Sequence, residues 1–192
     1  MALTATQHVS SALHGAAPAS LAGRLAAGET SAVVAFAGQG VDVLDELAAL
    51  LAQRPELRTG VSLGTEVLTA VARSGPALAR GAYRHGVDVA AWVLDPDGAP
   101  PVEYLRGAAA AYPLSLLAQA LLWRALYADA LGDAVRAGSI RALAGHSQGL
   151  LAAALVGEAP DGEISDALLA RHLERAAVQG LIMSDAAVGR SR

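Results

Sequence analysis

At 192 residues with a formal net charge of -4 and no cysteine, the chain has the length of one domain or part of a larger one, and disulfides and thiolate metal ligands are excluded. Its 14 cationic side chains are all arginines scattered singly, without the basic stripe that nucleic-acid binding needs, and no metal-ligand cluster stands out. Apolar residues make up 54 % and aromatics only 4 %, so the core is expected from Leu, Val and Ala in closely packed helices. The uncharged apolar stretch at residues 107–123 is shorter than the ~18 apolar residues of a membrane span and contains Pro113 and Gln119, so no membrane partner is expected. The first arginine is Arg24. No basic region therefore precedes an apolar segment, no targeting signal is expected, and the cytoplasm is the expected compartment.

In chain order, residues 1–30 are rich in Ala and Ser, with one weakly helical piece at 20–27, and read as a tail or docking segment. Residues 31–192 read as the body. SAVVAFAGQG, at 31–40, has a β-branched apolar run bounded by glycines, which predicts a buried parallel strand ending in a tight loop. VDVLDELAALLAQ then repeats Val43, Leu47, Leu50 and Leu51 at helical spacing, with Asp42, Asp45 and Glu46 in its first turns and Pro55 as its stop. Across 57–84 the helical pattern is interrupted by Gly60, Gly64, Gly75 and Pro76, which predicts several short helices. LDPDGAPP, at 94–101, reads as a loop, its Asp95 and Asp97 as turn residues. A helix is predicted to start at Pro113, with Leu114, Leu117, Leu121 and Ala125 on a buried stripe flanked by Leu116, Ala120 and Trp123. Residues 140–144 predict a second strand, 148–156 a helix, and Ser165 the cap of a last helix burying Leu169, Leu173, Ala176 and Ala177. Short strands alternating with helices make the fold class α/β.

The second strand runs straight into GHSQG, residues 145–149. A strand that becomes a helix at a serine must bend sharply, which asks for small residues on both sides, and Gly145 and Gly149 provide them. The bend exposes Ser147 and sets the head of the following helix beneath it, where amide N–H groups and the helix dipole meet a developing oxyanion. These are the requirements of a nucleophile. His146, adjacent in sequence, is expected to point to the opposite side and to pack or hydrogen-bond beneath the bend. FAGQG, at 36–40, is a glycine-rich loop able to donate a second amide beside that of Gln148.

GHSQG together with the upstream FAGQG resembles the acyl-CoA:acyl carrier protein transacylase family, most of all the acetyl transferase domain that opens bacterial type I fatty acid synthases. The resemblance covers residues 32–185. It implies an α/β-hydrolase-like core of short parallel strands and many helices, a seryl ester on Ser147, and an oxyanion hole from the amides of Gln148 and Gln39. It further implies acetyl-CoA as substrate, the phosphopantetheine thiol of an acyl carrier protein as acceptor, no tightly held cofactor, and a place among the other domains of a large homo-oligomeric fatty acid synthase. Family members carry their general-base histidine far beyond the serine, past a ferredoxin-like subdomain. The only histidine after Ser147 here is His172, in mid-helix, so the chain is expected to be the N-terminal part of a longer polypeptide, truncated before that subdomain and the remaining strands.

Substrate-binding candidates are Gln179 and His146. The helix after Ser147 leaves it by ~15 Å over ten residues, and the next helix regains that distance near residues 177–180, which returns Gln179 to the serine. Malonyl-loading relatives carry an arginine at the matching place to grip the free carboxylate. A neutral amide there points to an uncharged short acyl group, acetyl first. Arg84, Arg106 and Arg124 are equivalent candidates for coenzyme A phosphates, and Arg171 and Glu174 form a solvated helical pair. Two alternatives remain open. One is a serine esterase or thioesterase using the same bend with Asp166 and His172; the other is a non-catalytic structural piece of a multienzyme assembly.

Overall fold

The computed structural model of the protein describes residues 20–38 and 43–189, with the side chains of 79, 80 and 185–189 excepted. Helix α1 (Leu21–Ala26) precedes strand β1 (Ala32–Phe36). Then follow α2 (Val43–Gln53), α3 (Arg58–Ala72), α4 (Gly75–Arg80), α5 (Val89–Leu94), α6 (Val102–Arg106) and α7 (Ala108–Leu126). A π-helical turn (Tyr127–Leu131) leads into α8 (Gly132–Arg136), strand β2 (Ile140–Gly145), α9 (Gly149–Glu158) and α10 (Asp166–Gly189). The molecule is mostly helical, with β1 and β2 paired in parallel, Val33 opposite Ala142 and Phe36 opposite Gly145. No described helix is long and apolar enough to cross a membrane.

Helix α7 is the axis of the core. Its residues are apolar nearly all round, and Leu117 and Leu121 are wholly buried, as expected of a helix enclosed by others. Its start differs from the sequence expectation: the helix begins five residues before Pro113, which lies inside it. Proline lacks the N–H that bonds to the carbonyl four residues back. Here that carbonyl belongs to Ala109, and the Tyr83 hydroxyl donates to it at 3.1 Å. The helix passes through the proline because a tyrosine from another part of the chain replaces the missing donor. Burial pushes the Tyr83 hydroxyl up to about 12, so it keeps its proton.

Gly60 and Gly64 do not break the chain into short helices either. Both lie inside the continuous α3, where an added Cβ would come within 2.5 Å of Leu121 Cδ2 and 2.7 Å of Leu117 Cδ2. They are small so that α3 can approach α7, and this gain outweighs their helix penalty of about 1 kcal/mol each. At the other end of the chain the Ser165 hydroxyl accepts from the Leu168 amide, capping α10 as the sequence predicts. Gly180 of α10 presses on the Ala108 carbonyl at the head of α7.

Burial of the sheet is one-sided, contrary to the expectation of a strand enclosed on both faces. Phe36 is buried and Val34 and Leu143 pack against the core. On the other face Val33 is 61 % exposed, and its neighbours Ala35, Ala142 and Ala144 are exposed with it. Parallel sheets are ordinarily covered on both faces. Among the described residues nothing covers this one, although its side chains are apolar.

Candidate active site

Strand β2 ends at Gly145 and α9 begins at Gly149. Ser147, between them, has φ 54, the left-handed region that costs a side-chain-bearing residue about 1–3 kcal/mol. Ser147 is exposed, so no buried contact of its side chain requires that conformation. The two glycines permit it. A Cβ on Gly145 would overlap the Gly149 carbonyl, and one on Gly149 would overlap the carbonyl oxygen of Phe36. The bend is closed by bonds from the Gly149 amide to the His146 carbonyl, 2.9 Å, and from the Leu150 amide to the Ser147 carbonyl, 3.1 Å. Gln148 stands at the N-cap position of α9 and is buried, 4 % exposed. Its amide therefore belongs to the head of the helix, where the dipole is positive.

The left-handed residue also reverses an expectation. Simple strand alternation sends His146 beneath the bend, but His146 is exposed and the interior place is taken by Gln148. Alternation holds only for extended backbone, and Ser147 is not extended. The His146 ring stays at the surface of the bend, with Nδ1 3.1 Å from where a Cβ on Gly38 would stand. The His146 amide donates to the Phe36 carbonyl at 3.1 Å, carrying the β1–β2 pairing into the bend.

The segment after β1 lies against the same bend. A Cβ on Gly38 would stand 2.9 Å from the His146 carbonyl oxygen and 3.1 Å from Ser147 Cβ, closer than such atoms ordinarily come. Gly38 is thus glycine because the two loops touch. Gln39, expected to donate the second oxyanion amide, is outside the described residues. Ala37, just before Gly38, is held from the other side by α7, whose Gln119 Nε2 donates to the Ala37 carbonyl at 2.8 Å.

Of the remaining sequence candidates, Gln179 lies exposed on α10 one residue before Gly180. Asp166 pairs with Arg124 at 2.8 Å. His172 is buried to 4 % exposure, its Nε2 3.1 Å from Glu158 Oε2 but off the axis of an aligned hydrogen bond. Glu158 also meets Arg175 at 3.5 Å and Arg171 at 4.0 Å, so Arg171 turns toward α9 in addition to any helical pairing. The His172 contact, then the charges of His172, Arg175 and Arg171, hold the Glu158 carboxyl below its ordinary range. Glu158 is the last residue of the ten-residue α9, ~15 Å along the helix from the serine. The Asp166 and His172 of the esterase alternative are therefore engaged with other partners.

Gln119 was visible in the sequence only as an interruption of an apolar stretch. The usable signal was a lone amide on a helix that is otherwise apolar. Glu158 carried no signal, since its three partners come from the next helix. Compared with protein-family models and with curated proteins, the chain matches none.

Proposed function

We propose that the protein is an acyltransferase, or the part of one that carries its nucleophile, in which Ser147 takes an acetyl group from acetyl-CoA and passes it to the phosphopantetheine thiol of an acyl carrier protein. The observation that carries this reading is the exposed Ser147 at φ 54, between two glycines that admit no side chain, on the bend from strand β2 to helix α9. Strain of that kind persists where surrounding structure holds it, and it clusters at reactive groups. Ser147 Oγ attacks the thioester carbonyl, the C–O bond forms, the C–S bond breaks, and the serine proton leaves with the coenzyme A thiol. The carrier thiol reverses the sequence. Negative charge on the carbonyl oxygen falls to the Gln148 amide and to that of Gln39, an arrangement in which one donor is worth on the order of 3 kcal/mol of barrier. A serine needs a base; on this reading it is the histidine that the resembled family carries further along the polypeptide.

Gln179 is the proposed selector of the acyl group. The Glu158 and His172 contact ties the foot of α9 to α10, and α10, climbing 1.5 Å per residue, regains the height of the serine within about a turn of Gln179. Gln179→Arg is expected to favour malonyl over acetyl on the order of tenfold, the worth of one charge-assisted hydrogen bond. The test is to incubate the longest natural chain containing these residues with acetyl-CoA or malonyl-CoA and map the adduct by mass spectrometry. Acetyl on the Ser147 peptide is expected; release of free acid without an adduct favours the esterase reading. The uncovered apolar face of Val33, Ala35, Ala142 and Ala144 supports placing this chain in a larger assembly, where further domains cover it. The reading involves no nucleic acid, membrane, metal or tightly held cofactor, and a cytoplasmic setting.

A further inference from the structure

We infer that Gln119 is a positioning residue that fixes the segment after β1 against Ser147, an inference that rests on the acyl-transfer reading above. On helix α7 the half-buried Gln119 stands among the buried Ala118, Ala120 and Leu121, the one amide side chain of an otherwise largely apolar helix. The amide reaches across the fold to donate to the Ala37 carbonyl at 2.8 Å. Ala37 is exposed, so water satisfies its carbonyl equally well and the bond is not needed to avoid a buried unpaired group. What the bond adds is direction. The Phe36 carbonyl is held by the His146 amide, the next carbonyl by Gln119, and Gly38 rests on His146 and Ser147. Two consecutive carbonyls are thus held, by His146 and by Gln119, immediately before Gly38, which meets Ser147.

The cost of the arrangement is visible at the other end of the same side chain. Gln119 Oε1 is buried without a hydrogen-bond partner, in the wall of a cavity of about 200 Å³ shared with Ser115, Glu46 and Trp123. A buried acceptor left unmet is unfavourable, and leucine, of similar volume, removes it. Glutamine at this place is explained by its donor.

The test compares Gln119→Leu and Gln119→Glu with the wild type in the longest natural chain. It reads single-turnover formation of the seryl ester from acetyl-CoA, the dependence on acetyl-CoA concentration, hydrogen exchange of the peptide spanning residues 34–40, and thermal unfolding. Gln119→Leu is expected to slow acylation roughly 10- to 100-fold, a fraction of the loss from deleting an oxyanion donor outright. Its apparent acetyl-CoA affinity stays within about twofold and exchange at residues 37 and 38 rises, with the melting temperature kept. Gln119→Glu is equally slow at pH 8 and recovers as pH falls, because a protonated carboxyl again donates to Ala37; Glu46, the one charged side chain among the described residues lining that cavity, holds the new carboxyl protonated to higher pH. A structural role alone does not produce that recovery. Wild-type acylation rates and exchange in Gln119→Leu, or losses matching only its unfolded fraction with no recovery in Gln119→Glu, overturn the positioning role alone. Absence of ester on the wild type overturns the acyl-transfer reading and the positioning role together.

Discussion

At the head of α9 a serine is held in a left-handed conformation and left open to solvent, whereas at its foot Glu158 is gripped by Arg171, His172 and Arg175. The foot does what stabilises a fold: opposite charges meet, a buried histidine has a carboxylate beside it, and two helices are tied together. The head does the reverse. It spends conformational energy, crowds three glycines to make room for loops that touch, and exposes the side chain so presented. Strain at one end of a helix and pairing at the other show which end packing alone accounts for and which end calls for a chemical explanation.

Five substitutions break or sharpen this contrast. Gly149→Ala has the largest expected effect on stability, about 3 kcal/mol in urea unfolding, because its methyl group meets the main-chain carbonyl of Phe36, which has no side-chain freedom to yield. Tyr83→Phe is expected to cost about 1–2 kcal/mol by leaving the Ala109 carbonyl without its donor. In the double mutant with Pro113→Ala that loss shrinks, since the restored amide bonds to Ala109 itself, and a thermodynamic cycle measures the coupling. Tyr83 lies at neither end of α9, so its variants leave acylation per folded molecule unchanged. Ser147→Gly moves the other way, gaining about 1 kcal/mol as the strained backbone relaxes while losing every trace of ester.

Glu158→Gln has the smallest effect and a definite pH signature. The Glu158 carboxyl is held below its ordinary value in the folded protein. Its contribution is therefore fully present above the unfolded value, near 4.5, and is lost as pH falls through the lower folded value. Acid unfolding of the wild type includes this loss. In Glu158→Gln that part of the acid limb disappears, while the rate of serine acylation near neutral pH stays the same.

Much of the site was legible because it rests on local rules. Glycines around a serine, a β-branched run before it and a helical pattern after it are features of short range, and β1, β2, α9 and the Ser165 cap lie where those patterns put them. What was not legible depended on partners distant in sequence. Pro113 stands inside α7 because of Tyr83, and α3 runs through Gly60 and Gly64 because of Leu117 and Leu121. The pairing of His172 with Glu158 and the reach of Gln119 to Ala37 likewise join separate elements. His146 was misplaced for a local reason of another kind. Strand alternation was applied one residue too far, across a serine whose φ is positive.

The central claim is that strain at Ser147 serves a covalent acyl intermediate. The most direct measurement is the mass of the peptide containing Ser147 after brief exposure of the longest natural chain to acetyl-CoA, quenched in acid. A gain of one acetyl group on that serine, absent from Ser147→Ala, is the predicted result. An unmodified serine in a folded protein, or acetyl on another residue, contradicts it.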